Sequence, residues 1–517
     1  MRKDGFVAPS IRELIDEDAK KFGETTFIKF VRDGKVEERS YKRVRENSLA
    51  VCRYIRSLNP ERMHIALISK SNYEYITCLT GVLVSGNVAI PLAPETSAKD
   101  AAALLERADV DMVLYEDEYA KNIDELKSLY PSLKYSVNLG DVEAFNEIYE
   151  KYNEDSQYAQ LSDIEVDKDA CATIIFTSGT TGVRKGVMLS MNALVGNATY
   201  EDKCVGMLNE GDVTLSILPM YHIFCFSTDY IRNLITGITL CLNGNMRDLG
   251  KNLQIFKPRS MRVVPMVVQT LLQKIRFYAS NHPELSPEDA AQVILGGNLK
   301  WLICGGAYLN PELIDAFEQY GIILRTGYGM SEAGCRVTVP DNFVTKTSVG
   351  RVINLADVRI QNGEVQIDTA TVMNGYYKMP KETAEAFTED GWLRTGDIGY
   401  LADGNQLYIT GRLKNLIILS NGENVSPEAI EKKFNDIPLV SEVLVYAENN
   451  HITADVYPDY EYAEQNGIPD IEAQINKLVD KMNAGAKPSH IISDVKILTE
   501  PLEKTDSGKI KRKKTEF

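Results

Sequence analysis

Apolar positions along roughly the first four hundred residues alternate between two spacings. HIALIS (64–69) is a short apolar run that predicts a buried strand, whereas YEYITCLTGVLVSG (73–86) has helical apolar spacing. The same alternation continues through VAIPLAP (88–94), AKDAAALLERA (98–108) and DMVLYED (111–117). Strand-like and helix-like segments in alternation predict an α/β fold with parallel sheets covered by helices.

The pattern changes after residue 346. VGRVINLADVRIQNGEVQIDTA (349–370) predicts short strands separated by turns, as in a small β-barrel-like part. The last hundred or so residues, with PEAIEKKFNDI (427–437) and IEAQINKLVDKMNAG (471–485), predict a small α+β domain. A glycine and charges interrupt the strand pattern near 411–414, so we expect an N-terminal domain at 1–411 and a C-terminal domain at 412–517.

Length and composition fit a multidomain globular protein. A chain of 517 residues is too long for one core, and 44% hydrophobic with 25% charged residues is ordinary for such proteins. The most apolar window, Cys78 to Ala93, is broken by Ser, Gly, Asn and Pro, which argues against a transmembrane segment. The opening MRKDGFVAPS has no apolar core of a secretory signal.

Charge and cysteine usage narrow the partners and the compartment. The net charge of −16 disfavours nucleic acid as a partner. Eight scattered cysteines form no CxxC pair, which predicts reduced core thiols and a cytoplasmic location. Five widely separated histidines offer no zinc-type spacing.

The stretch TIIFTSGTTGVRKGV (173–187) carries the strongest chemical signal. ATIIF (172–176) has no polar alternation and predicts a strand buried on both faces. The small residues that follow allow close backbone approach to an anion, hydroxyls add donors, and Lys185 adds a mobile cation. The spacing does not fit a Walker A loop, and on its own the stretch fits a glycine-rich surface loop equally well.

The full string TSGTTGVRKGV resembles the phosphate loop of the adenylate-forming superfamily, which includes acyl-CoA synthetases, peptide-synthetase adenylation domains and luciferases. Other motifs of that superfamily follow in the expected order: LPMYH (218–222), CGGAYL (304–309), TGYGMSE (326–332), GWLRTGDIG (391–399), YITGRLKNLI (408–417), NGENVSPEAIE (421–431) and KTDSGKIKR (504–512). The resemblance spans residues 172 to 512, and its closest pattern is that of fatty-acyl-CoA synthetases.

This resemblance implies an AMP-forming acid–thiol ligase. A carboxylate would attack the α-phosphate of ATP to give an acyl-adenylate and pyrophosphate. The thiol of coenzyme A would then displace AMP to give a thioester. The implied cofactors are ATP and Mg²⁺, with coenzyme A as co-substrate.

The matched motifs imply roles for individual residues. The phosphates would be held by Thr177, Ser178, Gly179, Thr180, Thr181, Gly182 and Lys185. Tyr328 would stack on the adenine beside the turn of Gly305, Gly306 and Ala307, and the other nucleotide-binding residues of that motif would be Gly327, Gly329, Met330 and Ser331. The ribose would be held by Asp397 and Arg412, the metal by Thr177 and Glu332, and the catalytic residues would be Lys509, Glu332 and His222.

The C-terminal domain of such enzymes rotates between the two half-reactions. Lys414 stands at the position of the hinge, and the rotation would bring in Lys509 for adenylation. The segment of Gly422 would then line the coenzyme A tunnel. A mobile C-terminal domain is therefore expected.

The segment YHIFCFST (221–228) bears on which carboxylic acid would be the substrate. Amino-acid-activating relatives keep an aspartate here to pair with the substrate ammonium, and this segment has no carboxylate. Asp229 is the nearest acid and is interpreted as a helix-start residue. His222 and Phe226 are the candidate acyl-pocket residues, and the apolar surroundings favour a fatty or similar acid.

Departures from the family pattern bear on which thiol would accept the acyl group and on whether the chain is catalytic. Arg184 replaces the usual proline and Asn415 the usual aspartate, and neither change removes a catalytic group. The stretch 439–460 is shorter than usual near the thiol entry, which puts the acceptor in doubt. The alternatives are loading of a carrier-protein phosphopantetheine, with an acyl carrier protein as partner, or a non-catalytic relative that only binds.

Overall fold

The computed structural model describes residues 6–177, 184–199, 208–340, 345–402, 404–419, 423–434, 437–448, 451–504 and 510–512. The chain divides into two compact units. The first comprises Met1–Val358, Ile367–Leu393 and Gly404–Gln406, and the second comprises Arg359–Gln366, Arg394–Asp403 and Leu407–Phe517. The domain junction expected between residues 411 and 412 stays a prediction.

The first large sheet of the first unit is mostly parallel. Its seven described strands follow the order Ile323–Thr326, Trp301–Cys304, Ser260–Val263, Val213–Ser216, Thr239–Leu242, Thr26–Arg32 and Lys35–Ser40. All neighbours are parallel except the last two strands, which form an antiparallel hairpin. The register places Ser260 opposite Trp301 on one side and Thr214 on the other. The carboxyl ends of the parallel strands therefore share one edge.

The second large sheet changes from parallel to antiparallel at one side. Its seven described strands follow the order Gly375–Tyr376, Lys185–Ser190, Cys171–Thr177, Val88–Leu92, His64–Ile68, Met112–Tyr115 and Tyr135–Asn138. The five strands from Cys171–Thr177 onward pair in parallel, whereas Lys185–Ser190 is antiparallel to both of its neighbours. The antiparallel pairs bring segments that are distant in sequence to one side of the sheet.

Helices connect the strands of the first unit. The α-helices are Ile11–Phe22, Tyr41–Leu58, Tyr73–Val84, Ala98–Arg107, Asp117–Leu129, Val142–Lys151, Met191–Thr199, Ile223–Cys225, Arg232–Thr236, Leu249–Phe256, Pro265–Asn281, Pro287–Leu295, Pro311–Glu318 and Pro380–Glu385. Phe226–Ile231 forms a π-helical turn, and shorter 3₁₀ turns span Ala159–Ser162, Met246–Asp248 and Ser331–Ala333. Side chains of Ser10, Asn72 and Ser97 cap helix N-termini by accepting backbone N–H groups.

The strands and helices predicted from apolar spacing are present. HIALIS contains the strand His64–Ile68, the next segment forms the helix Tyr73–Val84, and ATIIF lies within Cys171–Thr177, whose middle residues are buried. Burial of both sheet faces explains the lack of polar alternation, since helices pack against each face. The expected α/β class with parallel sheets is confirmed.

The segment after residue 337 forms short strands, and within some of them the chain passes from one unit to the other. In the first unit Thr338–Val339 pairs with Arg351–Val352. The chain passes between the units within the strands Ala356–Gln361, Glu364–Thr369, Leu393–Ala402 and Gln406–Arg412. The short strands expected after residue 346 are therefore present.

The remainder of the second unit is a small α+β body. Its strands are Ile417–Ile418, Asn424–Val425, Val440–Glu448, His451–Pro458 and Ile492–Ile497, and the last three form one sheet. Its helices are Pro427–Glu431, Tyr460–Gln465 and Ile471–Ala484, with 3₁₀ turns at Leu413–Asn415, Lys432–Phe434 and Pro488–His490. A separate apolar core that includes Phe434, Val445 and Ile475 supports this body.

The burial of the thiols bears on the expectation of reduced core cysteines, and the lengths of the helices bear on the argument against a transmembrane segment. Cysteines 52, 78, 225, 241, 304 and 335 are buried and Cys171 is half-buried, all as free thiols. Cys204 lies outside the described residues. Among the described helices, none combines the length and apolar character that crossing a bilayer would require.

One helix contact depends on the absence of a side chain. A Cβ on Gly81 in the helix Tyr73–Val84 would lie 2.7 Å from Val51 Cγ1 and 2.9 Å from the carbonyl oxygen of Ser48 on a neighbouring helix. By contrast, Gly250 in the helix Leu249–Phe256 has open space around it. Packing therefore requires glycine at Gly81 but not at Gly250.

We expect Gly81→Ala to lower the free energy of unfolding by about 1–3 kcal/mol, because overpacking must push the two helices apart. Gly250→Ala is the matched control and should raise it by up to about 1 kcal/mol, since alanine is the better helix former. Thermal unfolding followed by circular dichroism measures both. A stabilising effect of Gly81→Ala would contradict the close helix contact.

Candidate active site

The two ends of the predicted phosphate loop lie side by side. The strands Cys171–Thr177 and Lys185–Ser190 are antiparallel, with Thr177 directly opposite Lys185. The Thr177 hydroxyl donates to the Lys185 carbonyl oxygen over 3.5 Å. The predicted phosphate-binding residues Ser178, Gly179, Thr180, Thr181 and Gly182 lie outside the described residues. The loop thus leaves and re-enters the second sheet at one place.

Tyr376 links this hairpin to Glu332. The short strand Gly375–Tyr376 pairs with the far edge of Lys185–Ser190, with Tyr376 opposite Val187. The Lys185 Nζ lies 4.6 Å from the centroid of the Tyr376 ring, which is a cation–π distance. The Tyr376 hydroxyl donates to Glu332 Oε1 at 3.0 Å. Lys185 and Glu332 therefore contact the same aromatic side chain.

Burial and the adjacent Glu332 carboxylate raise the pKa of Tyr376. The phenol accordingly remains a donor to Glu332 at physiological pH. Sequence reasoning missed this residue. The only signal was its position in NGYYKMP (374–380) between two matched motifs, and a two-residue strand has no detectable period.

Glu332 is presented by a tight hairpin. Gly329–Met330 pairs with Cys335–Arg336, and the turn Ser331–Ala333 lies between them. A Cβ on Gly329 would lie 1.8 Å from the Cys335 carbonyl oxygen, so only glycine fits there. The Glu332 carbonyl oxygen accepts the Met373 N–H at 2.8 Å. The backbone of the TGYGMSE motif is therefore fixed on both sides of the carboxylate.

Residues predicted to bind the nucleotide follow the ends of neighbouring strands of the first sheet. Gly305 N–H donates to Val263 at 3.1 Å, and Gly327 N–H donates to Cys304 at 3.0 Å. Gly306 has φ of 80°, and Gly306 and Ala307 are exposed. Ligands of open α/β sheets bind outside the carboxyl ends of the strands.

Tyr328 and Phe224 border the same region. Tyr328 is half-buried, and its backbone N–H donates to Thr338 Oγ1 at 2.8 Å. A Cβ on Gly305 would lie 3.1 Å from Phe224 Cζ, so the glycine lets the Phe224 ring lie against the turn. The predicted residues Met330 and Ser331 are half-buried in the hairpin that follows.

The second unit brings its two predicted ribose-binding residues together. Arg412 Nε lies 2.7 Å from Asp397 Oδ1, with the carboxylate buried and the guanidinium half-exposed. The Asp397 N–H donates to Thr395 Oγ1 at 3.0 Å. The GWLRTGDIG and YITGRLKNLI motifs thus meet at one ion pair.

The predicted hinge Lys414 is exposed in the turn Leu413–Asn415. Gly411 next to this turn has no room for a Cβ, which would lie 2.4 Å from Ser426 Oγ. Asn415, in the place of the family's aspartate, donates through its amide to Glu428 Oε1 at 2.5 Å. The predicted coenzyme A residue Gly422 lies outside the described residues.

The predicted catalytic Lys509 also lies outside the described residues, but the residues on either side of its segment are described. Lys504 and Ile510 form an antiparallel bridge. Arg512 donates to both carboxylate oxygens of Glu431, at 2.9 and 2.6 Å. Burial raises the pKa of Glu431, and Arg512 opposes that shift. This bidentate pair was missed, although Glu431 and Arg512 end two of the matched motifs.

The two candidate acyl-pocket residues differ in their surroundings. Phe226 is buried and lines a small apolar cavity together with Leu79, Leu83, Ile175, Leu194 and Ile223, in which a water-sized sphere can occupy about 10 Å³. His222 is exposed, and its ring lies 4.7 Å from that of Tyr221. The structure therefore places Phe226, and not the His222 side chain, inside the apolar region.

The interpretation of Asp229 as a helix-start residue is wrong. It lies within the π-helical turn Phe226–Ile231 and is fully buried, with Oδ1 3.3 Å from Arg262 Nε. Burial raises its pKa to about 6, an effect that Arg262 opposes. Apolar spacing could not reveal this, because the inserted turn changes the helical period.

Family models match most of the chain. The model for AMP-binding enzymes matches residues 15–377, and the model for the AMP-binding enzyme C-terminal domain matches residues 414–517. The chain therefore belongs to the AMP-binding enzyme family, within the adenylate-forming superfamily.

Individual relatives are CoA ligases. A long-chain-fatty-acid–CoA ligase from Mycobacterium bovis is 25% identical, over 87% of this chain and 85% of the relative. A 4-coumarate–CoA ligase from Oryza sativa subsp. japonica is 28% identical, over 68% of this chain and 64% of the relative. The solved structure of ATP-bound MatB from Rhodopseudomonas palustris shares the fold, with a TM-score of 0.80, 20% identity and 97% coverage of both chains.

We expect Tyr376→Phe to weaken the binding of ATP with Mg²⁺ by about 5- to 10-fold, because it removes one hydrogen bond to the Glu332 carboxylate, worth roughly 1 kcal/mol or slightly more. Tyr376→Leu should weaken it further, since the ring beneath Lys185 is also lost. Isothermal titration calorimetry measures both changes.

Tyr377→Phe is the matched control for this measurement. It removes a hydrogen bond of 2.7 Å to Asp109 at an exposed position and should leave the affinity unchanged. Equal affinities for all these variants would show that Tyr376 does not support nucleotide binding.

Proposed function

We propose that the chain uses ATP to convert an apolar carboxylic acid to an acyl-adenylate and then transfers the acyl group to the thiol of coenzyme A. The observation that carries this proposal is that Lys185 lies over the Tyr376 ring while Glu332 accepts a hydrogen bond from the Tyr376 hydroxyl, beside the predicted phosphate-loop hairpin. A cation for phosphate and a carboxylate for a metal are thus held close together. Family membership and the names of the relatives support the same activity.

The donor set fits Mg²⁺. The Tyr376 hydroxyl donates to Glu332 Oε1, so Oε2 would be available to a metal, and Thr177 offers a hydroxyl oxygen at the hairpin end. Among the described residues, three or more acidic, His or Cys side chains do not cluster as a self-contained metal site. Mg²⁺ typically takes one or two carboxylates and completes its coordination with water and substrate phosphates. The metal would neutralise phosphate charge there.

The chain's own residues would act mainly by positioning and electrostatics. Lys185 and the residues from Thr177 onward would hold the outer phosphates, and Tyr328 with the turn at Gly305 would hold adenine. Lys509 would contact the reacting carboxylate and the α-phosphate as negative charge builds up. Fixed charges at such a point lower the barrier without reorganisation in the transition state.

The ribose would be held in the second unit. Asp397 accepts hydrogen bonds and Arg412 donates them, so the pair presents both kinds of group to the sugar hydroxyls. Their mutual ion pair would fix the carboxylate before the nucleotide binds.

The apolar cavity next to Phe226 supports an apolar acid. Its lining is aliphatic and aromatic apart from Thr173 and the Tyr221 hydroxyl, so a buried ammonium would find no carboxylate there. The space inside it that a water-sized sphere can occupy is about 10 Å³, which is roughly the room that one water molecule needs. A long acyl chain would therefore require the Phe226 ring to move.

Transfer to the thiol would use the rotation expected of the C-terminal domain at 412–517. Rotation about Lys414 would exchange the Lys509 segment for the Gly422 segment. The bidentate Arg512–Glu431 pair would keep the Lys509 segment attached to its own domain during that motion. Buried free thiols are consistent with work in a reducing compartment such as the cytoplasm.

Pyrophosphate exchange with a panel of acids tests the proposed function. We expect ATP–pyrophosphate exchange with fatty or aryl acids and only background exchange with α-amino acids. Exchange only with amino acids would overturn the proposed substrate class, and no exchange with any acid would favour a relative that only binds.

The same panel on Phe226→Ala gives the matched comparison. Removing the ring enlarges the cavity and should shift preference toward longer acids. For the acids that exchange, coenzyme A and a holo carrier protein are then compared as acceptors, and we expect the thioester with coenzyme A.

Lys509→Ala should separate the half-reactions. We expect adenylation to fall by at least ~10²-fold, the usual cost of removing one transition-state contact. Thioester formation from supplied acyl-adenylate should be spared. Lys511→Ala is the control, because that exposed lysine lies 3.5 Å from Glu503 and should behave as wild type. Equal loss of both half-reactions in Lys509→Ala would contradict its assignment.

A further inference from the structure

A solvent-exposed patch of the first unit combines large apolar side chains with cations. Met266 is 63% exposed, Phe277 74% and Met246 48%, although each is large and apolar. Four cations lie beside them in sequence on the same or the preceding helical segment: Arg247, Lys251, Lys274 and Arg276. These seven residues are called the basic apolar patch below.

The helix Pro265–Asn281 provides one face of this patch. Met266, Thr270, Gln273 and Phe277 are spaced by four, three and four residues, which aligns them along one side of an α-helix. All four are exposed, whereas Val268, Leu271 and Ile275 on the opposite side are buried in the core. Lys274 and Arg276 lie toward the two borders of the exposed side. The helix therefore shows solvent a line with apolar Met266 and Phe277 at its ends, polar Thr270 and Gln273 between them, and cations on both flanks.

A groove adjoins this line. Met246, Leu249, Leu253, Met266, Leu271 and Lys274 are among its lining residues, and a water-sized sphere can occupy about 100 Å³ within it. It lies between the segments 246–256 and 265–281. The apolar surface of the patch is thus continuous with an apolar depression.

The local charge is opposite to that of the whole chain. Residues 246–281 contain seven Lys and Arg and a single Asp, but Arg259 pairs with Asp212 and Arg262 with Asp229, both outside this range. The other five cations still outnumber Asp248, while the chain carries a net charge of −16. Some surface lysines elsewhere pair with acids, as Lys134 does with Asp111 and Lys378 with Asp109. Within the described ranges, no carboxylate oxygen lies within 4.0 Å of the four patch cations. Their charge is available to a partner.

We propose that the basic apolar patch docks onto the surface of an anionic lipid bilayer. Met246, Met266 and Phe277 would enter the boundary between headgroups and acyl chains, and the four cations would contact lipid phosphates. Interfacial helices bind membranes by this combination of apolar side chains and flanking Lys or Arg.

The charge distribution favours a bilayer over a protein partner. Lysine is depleted in protein–protein interfaces, whereas two of the four patch cations are lysines with long flexible stems. The acidic remainder of the chain would be repelled by an anionic surface, which would orient the molecule with this patch toward the lipid. Docking does not depend on the proposed ligase function.

Cosedimentation with vesicles tests the proposal on the full chain. We expect binding to vesicles of equal parts phosphatidylcholine and phosphatidylglycerol, and no binding to phosphatidylcholine alone. The bound fraction should fall as salt is raised, because ions screen the lipid charge. Equal binding to both vesicle types, or to neither, would overturn the proposal.

Two double variants separate the apolar contribution to vesicle binding from the contribution of charge. Met266→Ser with Phe277→Ser, and Lys274→Glu with Arg276→Glu, should each lower the vesicle partition coefficient at least tenfold. Leu129→Ser with Lys127→Glu is the matched control on another helix, where Leu129 is 49% exposed, and it should bind as wild type. Thermal unfolding confirms that each variant is folded.

Sedimentation velocity without lipid tests whether a second copy of the chain covers the patch instead of a bilayer. If the wild type self-associates and the patch variants are monomeric, a second copy of the chain covers the patch and the lipid proposal is overturned. Loss of vesicle binding in the patch variants, with an unchanged sedimentation coefficient, supports it.

Discussion

The antiparallel pairing of Lys185–Ser190 with strands on both of its sides is the constraint on which the candidate site depends. One neighbour, Cys171–Thr177, fixes the two ends of the phosphate loop at the register of Thr177 and Lys185. The other neighbour, Gly375–Tyr376, brings the Tyr376 ring under Lys185 and its hydroxyl to Glu332. A one-residue slip of either pairing would turn these side chains to the opposite face of the sheet.

In the second unit, ion pairs hold residues of different motifs together. Asp397 and Arg412 come from different motifs and meet in one pair, and Glu431 and Arg512 meet in another. In each pair the carboxylate is less exposed than the guanidinium, buried in Asp397 and half-buried in Glu431, so the guanidinium replaces water as its partner. In both cases a residue of one motif is held by a residue from another, so each ion pair joins two motifs that are separate in the sequence.

The elements that could be predicted were those with a long, regular period. The helix Tyr73–Val84 and the strand His64–Ile68 follow directly from apolar spacing, because burial of one side requires that spacing. Tyr376 could not be predicted, since its strand has two residues and its partners lie 44 and 191 positions away in the chain. Asp229 was misjudged because the π-helical turn breaks the period around it.

By itself the sequence determined the α/β class, the order of the motifs and the family, because these depend on residue types at fixed short spacings. Only the tertiary structure decided that Tyr376 joins Lys185 to Glu332, that Phe226 is buried in an apolar cavity while His222 is exposed, and that Arg512 holds Glu431. Those facts depend on strand register and helix packing between distant segments. Such contacts are stabilised by burial and pairing that no local pattern records.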